Sequence, residues 1–357
     1  MEAAAIDWSM GSRAAALVDW STAAETGRRV GGTGPSTPSA ERARLREDLS
    51  ELVPQAQALV ADFTGLRADG PGARPWVMSR GEWVTANLNG LQRLMEPLAG
   101  RLVPDGANRS PLRRKALGVQ VGGLLGYVSR KVLGQYDAFL PADDDGLLYF
   151  VGPNLIEVER RFTLSPRDFR LWIALHEVTH RVQFGTTRWL KPYLARHIDA
   201  YLDTVQVDPR QMLEQLKRAI AQVRAGADWR GPNGILLLMT DEQRALFAKM
   251  QALMALLEGH ASFVMNGVGA GRVKDLDRMR RSLRQRRRSG GVEKAFQRAI
   301  GLESKVAQYD IGHRFAGAVV ERIGMTGFNR VWEDEVNLPT LEEIADPTRW
   351  VGRVAEA

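Results

Sequence analysis

Clusters of glycine and proline cut this 357-residue chain into segments, and nearly every segment between them carries helical rather than strand periodicity. The turn-rich stretches are Arg28–Ser39 (RRVGGTGPSTPS), Arg67–Pro75 (RADGPGARP), Gly226–Gly234 (GADWRGPNG) and Gly267–Gly271 (GVGAG). Before the first, residues 1–27 read as a helix with Trp8, Leu17, Val18 and Trp20. A second helix spans about residues 40–66. Ser79 and Glu82 form a capping box, which opens a helix through Trp83, Leu88, Leu91, Leu94, Met95 and Leu98. The next helix, over 111–135, contains GVQVGGLLG (Gly118–Gly126), a small apolar run that permits close helix packing. Gly146–Gly152 is the clearest strand, with a second short strand expected at Leu155–Val158. Ser165 as N-cap, Pro166 at the first helical position and Asp168 at the third start a helix that should end at Gly185. Helices follow at 189–205 and 209–224. A Thr240–Gln243 capping box begins a long apolar helix through about Met265, and a last helix is expected near 302–323. The fold class is mainly α with a small β element. Two regions are expected: an N-terminal helical region over 1–140 and a metal-binding region over 141–357, or one compact unit joining them.

Composition removes several function classes. With 44% hydrophobic residues the chain can bury a core, and with no cysteine it has no disulfide scaffold, thiolate zinc site, thiol nucleophile or iron–sulfur cluster. No apolar run reaches the roughly 18 residues of a membrane span. The N-terminus lacks the basic start of a secretory signal, so a soluble cytoplasmic protein is expected. The net charge of +7 is local: Arg278, Arg280, Arg281, Arg284, Arg286, Arg287 and Arg288 supply all of it.

The chemistry lies in His176-Glu177-Val178-Thr179-His180. Four residues of helix put His176 and His180 on one face, where both imidazoles can bind one metal ion, and Glu177 beside them can take a proton from a water. This HExxH pattern is the signature of zinc-dependent metallopeptidases, in which Zn²⁺ lowers the pKa of its water to about 7. Chance placement of five histidines and 21 glutamates predicts about 0.004 occurrences, so coincidence is a poor explanation. Phe169, Trp172 and Ile173 lead into His176 along one face, which implies a buried helix.

A catalytic zinc site needs a third protein ligand and an open position. Glu258, in Leu256-Leu257-Glu258-Gly259-His260, is a carboxylate inside an apolar helix, where coordination or a buried arginine would offset its burial. His260 is the alternative ligand; the two cannot both face one ion from positions two apart. Tyr309 and His313, one turn apart, are candidates for stabilising an oxyanion. His197 reads as a helix-surface residue.

The strings LGQYD (Leu133–Asp137), DFRLWIALHEVTHRVQF (Asp168–Phe184), LLEGH (Leu256–His260) and GMTGFNRVW (Gly324–Trp332) resemble an actinobacterial family of zincin-like, zinc-dependent metalloproteases or hydrolases, some of them associated with deazaflavin-cofactor biosynthesis. The resemblance runs from about Ile6 to Val354. It implies a mostly helical zincin-like fold, with His176 and His180 as zinc ligands, Glu177 as catalytic base and Glu258 as a glutamate-type third ligand. The departure is in spacing: 78 residues separate His180 from Glu258, where familiar glutamate zincins use a few tens.

The expected function is therefore a zinc-dependent hydrolase acting on a peptide or amide, with an extended substrate pairing with the Gly146–Gly152 strand. The alternatives are an inactive zincin scaffold used for binding or assembly, or anion and nucleic-acid binding through residues 278–288. No aromatic residue interleaves that arginine run, which favours a solvated helix over a nucleic-acid site. The sequence leaves the oligomeric state open.

Overall fold

The structure is a computed structural model and describes residues 13–102, 110–137, 146–204, 239–288 and 303–355. The expected helix at 209–224, the loop at 226–234, Trp8 and the Gly290-Gly291 break lie outside these residues. The architecture is mainly helical, with one three-stranded sheet. Two compact units divide the chain, one of residues 1–56 and 70–178, the other of residues 57–69 and 179–357. No helix among the described residues is long and apolar enough to cross a membrane.

In the first unit, a 3₁₀ turn over Arg13–Ala16 precedes helix α1, Trp20–Gly31. The expected first helix is thus broken, because Asp19 is an N-cap whose carboxylate accepts from the Thr22 N–H, and α1 runs four residues into the segment read as linker. Helix α2 spans Ser39–Thr64 and continues into the second unit. Strand β1, Arg74–Met78, was not expected; it begins where the break before Ser79 was read as turn. The Ser79 capping box is present: Ser79 N–H donates to Glu82 Oε2 at 2.7 Å and Glu82 N–H to Ser79 Oγ at 3.2 Å. It opens α3, Arg80–Leu102. Helix α4 covers Pro111–Ser129, stopping short of the expected 135 because Gly134–Tyr136 form strand β2. Strand β3 is Leu147–Val151, and α5, Gly152–Phe162, follows directly. The strand expected at Leu155–Val158 is therefore helix. Pro153 suits a first helical turn, and Leu155, Ile156, Val158 and Glu159 bury one helical face.

The sheet order is β1-β3-β2, with β1 parallel and β2 antiparallel to β3. β3 is central: Leu148 pairs with Pro75 on one side and Tyr136 on the other. A peptide cannot add to it, which corrects that expectation. The small residues of α4 act as their spacing implies. A Cβ on Gly122 would lie 2.2 Å from the Ala23 carbonyl oxygen and one on Gly118 2.5 Å from that of Asp19, so α1 and α4 touch backbone to backbone. Arg80 is a hub, donating to Asn154 Oδ1, the Gly31 carbonyl and Glu157 Oε2.

Helix α6, Pro166–Thr186, begins in the first unit and ends in the second. The second unit continues with α7, Leu190–Asp203, and α8, Asp241–Gly269, which starts at the Thr240–Gln243 capping box and runs four residues past the expected end. Helix α9, Leu276–Arg288, carries the arginine run; Met279 and Ser282 face inward while Arg278, Arg281 and Arg284 are exposed, an ordinary amphipathic arrangement. Helix α10, Glu303–Phe328, is broken at Gly324, whose φ of 73° is open to glycine and not to most residues. The expected stop near Ile323 marks that break. Short helices α11, Leu341–Ala345, and α12, Pro347–Val354, close the chain. Gly259 on α8 and Gly312 on α10 interlock: a Cβ on Gly259 would sit 2.2 Å from the Gly312 carbonyl carbon. Phe315, Phe328 and Trp350 pack behind that crossing, edge to face.

Candidate metal centre

Helix α6 presents His176 and His180 one turn apart, with Glu177 buried between them at 5% exposure. The flanking Leu175 and Val178 are fully buried, which holds the helix in one rotation about its axis. Helix α8 contributes Glu258. One ligand atom from each of His176, His180 and Glu258 lies within 4.8 Å of the other two. His180 Nε2 and Glu258 Oε2 are 3.6 Å apart. Two ligands each about 2.0–2.1 Å from a tetrahedral zinc stand roughly 3.3 Å apart, so this pair already has the spacing of a coordination edge. The donor set, two imidazoles and a carboxylate, suits a borderline cation such as Zn²⁺.

The Gly259–Gly312 interlock lies next to Glu258 in sequence and anchors α8 there. Of the two candidates for third ligand, the structure groups Glu258 with the histidines and not His260. The His260 ring is fully buried, stacked on Phe328 at 5.0 Å between centroids and tilted against Trp332. Its Nδ1 is 2.9 Å from Gln183 Nε2. Burial, with the neighbouring His180 adding to it, pulls the His260 pKa down to about 3, so the ring is neutral.

Glu177 meets an element that no helical pattern announced. A Cβ on Gly134 would lie 2.6 Å from Glu177 Cγ and 2.7 Å from its Oε1, so the β2 backbone lies directly against this carboxylate. β2 is held there by β3 and by Gln135, whose side chain accepts from Trp83 Nε1 at 2.7 Å and donates to Asn87 Oδ1 at 3.1 Å. The sequence held Gly134 only as part of LGQYD. Gln183 was also passed over, although its place three residues after His180 puts it on the same helical face.

The remaining candidates are carried by α10 and α7. His313 is half-buried on α10, its ring 5.9 Å from that of Phe263. Tyr309 is on the same helix. His197 is not a bare surface residue: it stacks on Tyr193 at 4.0 Å and its Nδ1 lies 2.9 Å from the Tyr193 carbonyl oxygen.

The zincin-like metallopeptidase family matches residues 18–351. A crystal structure from Chloroflexus aurantiacus, described as "a putative hydrolase with a novel fold", is 32% identical, with a TM-score of 0.72 over 96% of this chain and 100% of that one. No match is found among the curated proteins. With the family model matching residues 18–351, nearly end to end, the chain belongs to the zincin-like metallopeptidases.

Proposed function

We propose that this protein is a zinc-dependent hydrolase of peptide or amide bonds, with Zn²⁺ held by His176, His180 and Glu258 and with Glu177 as the catalytic base. The observation that carries the reading is the convergence of these three donors beside the buried Glu177. A zinc ion bound there supplies Lewis acidity, which polarises a carbonyl and acidifies a water. Glu177 takes the proton of the attacking water and returns it to the leaving amine. Its burial and the β2 backbone against it limit its rotamers and hold the proton-accepting oxygen in place. Tyr309 and His313 of α10 are the proposed oxyanion donors. An extended substrate would add to β2, which pairs only with β3 among the described residues and so stands at the sheet's edge.

The test is a metal assay run beside hydrolysis of a quenched-fluorescent peptide library. The wild-type chain should bind about one zinc and cleave. Glu177→Gln should keep the zinc and lose cleavage. Unchanged hydrolysis with retained zinc refutes Glu177 as base, and a wild-type chain that takes up no zinc refutes the metal centre.

A further inference from the structure

One backbone carbonyl determines which way a metal ligand faces. Gln183 is fully buried on α6, and both ends of its amide are engaged. Nε2 donates to the Leu257 carbonyl at 3.0 Å and lies 2.9 Å from His260 Nδ1; Oε1 lies 2.9 Å from His180 Nδ1. A backbone carbonyl has no hydrogen and can only accept. The amide nitrogen must therefore be the atom that faces Leu257, since the flipped amide would oppose two oxygens. With the amide oriented, the rest follows. Oε1 faces His180 Nδ1 and can only accept, so His180 carries its proton on Nδ1. The second amide hydrogen points at His260 Nδ1, which accepts, so His260 carries its proton on Nε2. His180 is then left with its Nε2 lone pair on the side of Glu258 Oε2, 3.6 Å away. His260 is immobilised in turn by stacking on Phe328, and Leu257 by the helix that also carries Glu258.

We infer that Gln183 is a positioning residue that, oriented by the Leu257 carbonyl and buried His260, locks His180 in the tautomer that offers Nε2 to the metal. This rests on the reading of His180 as a metal ligand. It also gives His260 a role that is not coordination: the ring is the far support of the relay. Partners of this kind to a metal-ligating histidine are typically worth 10–100-fold in metal affinity.

Two measurements test it, the first without any substitution. ¹⁵N NMR of histidine-labelled, metal-free protein at about pH 8, above the usual imidazole range near 6.5, reads the tautomer of each ring directly. His180 should be the Nδ1–H form and His260 the Nε2–H form; His180 as the Nε2–H form overturns the proposal. The second measures zinc affinity by chelator competition in Gln183→Met, which keeps length and apolar bulk but has no amide. Affinity should fall about 10–100-fold with an unchanged circular-dichroism spectrum, and His180 should become a mixture of tautomers. Unaltered affinity with zinc bound refutes the relay and leaves the metal centre standing. A wild-type protein with both stated tautomers but no zinc binding refutes the metal centre and leaves the relay standing.

Discussion

Helix α6 carries two clusters of polar residues, and they are built on opposite principles. Near its start, Arg170 is only 3% exposed. It donates through Nε and Nη2 to the two oxygens of Glu159, both at 2.8 Å, and through Nη1 to Asp48 at 2.6 Å. Burial works against its charge, but the hydrogen bonds and fields of Glu159 and Asp48 outweigh that and keep the guanidinium above its usual range. Every charge there finds a complement in the protein. Two to three turns on, His176, His180 and Glu258 bring three lone-pair donors to one place, and the complement such a set calls for is a cation from outside. The first cluster joins α2, α5 and α6. The second is the candidate metal centre. Burial and ionisable residues alone do not distinguish them; the sign of the groups that converge does.

That contrast can be broken by substitution. Glu177→Gln should reduce hydrolysis by about 10²–10⁴-fold, the usual range for a general base, while thermal stability and zinc content hold. Arg170→Met should do the reverse: it strands buried Glu159, while Asp48 keeps its ion pair with Arg167, and should cost about 3–5 kcal/mol in urea unfolding, with zinc affinity unchanged. If Arg170→Met also abolished zinc binding, the two clusters would not be separable. Gly134→Ala sharpens the comparison at the catalytic side. Its Cβ must displace Glu177 or β2, and misplacement of about 1 Å should lower turnover about 10²-fold with zinc retained. The smallest effect is expected at Asp19, a half-buried carboxylate outside both clusters. The Ser21 hydroxyl and then the Thr22 N–H hold it below its usual 3.8. A folded-state pKa below the unfolded one means its contribution is present above that value and lost as pH falls through the folded value. Asp19→Ala should therefore cost about 1 kcal/mol at neutral pH and progressively less in acid, read from urea titrations at several pH values.

Much of this was legible because it is local. Both capping boxes, at Ser79–Glu82 and Thr240–Gln243, are four-residue hydrogen-bond patterns and form as read. The glycines of α4 and the paired histidines of α6 are helical spacings, and a helix carries its own geometry. Pairing between distant segments was not legible. β1 and β2 are short stretches with little β character, and they are strands because β3 offers both edges. Conversely, the β-branched Ile156 and Val158 suggested a strand, while Pro153 and a buried face of helical period made it α5.

The sequence by itself determined the donor types, their one-turn spacing, the helix that carries them and the exclusion of thiolate chemistry. Each depends on residues within a few positions of one another, or on composition. Only the tertiary structure grouped Glu258, and not His260, with the two histidines, brought Gly134 against Glu177, and joined His180 to His260 through Gln183. Those choices turn on which faces of α6, α8 and β2 meet. That is settled by packing across tens of residues of chain, such as the backbone contact of Gly259 with Gly312, which no local pattern encodes.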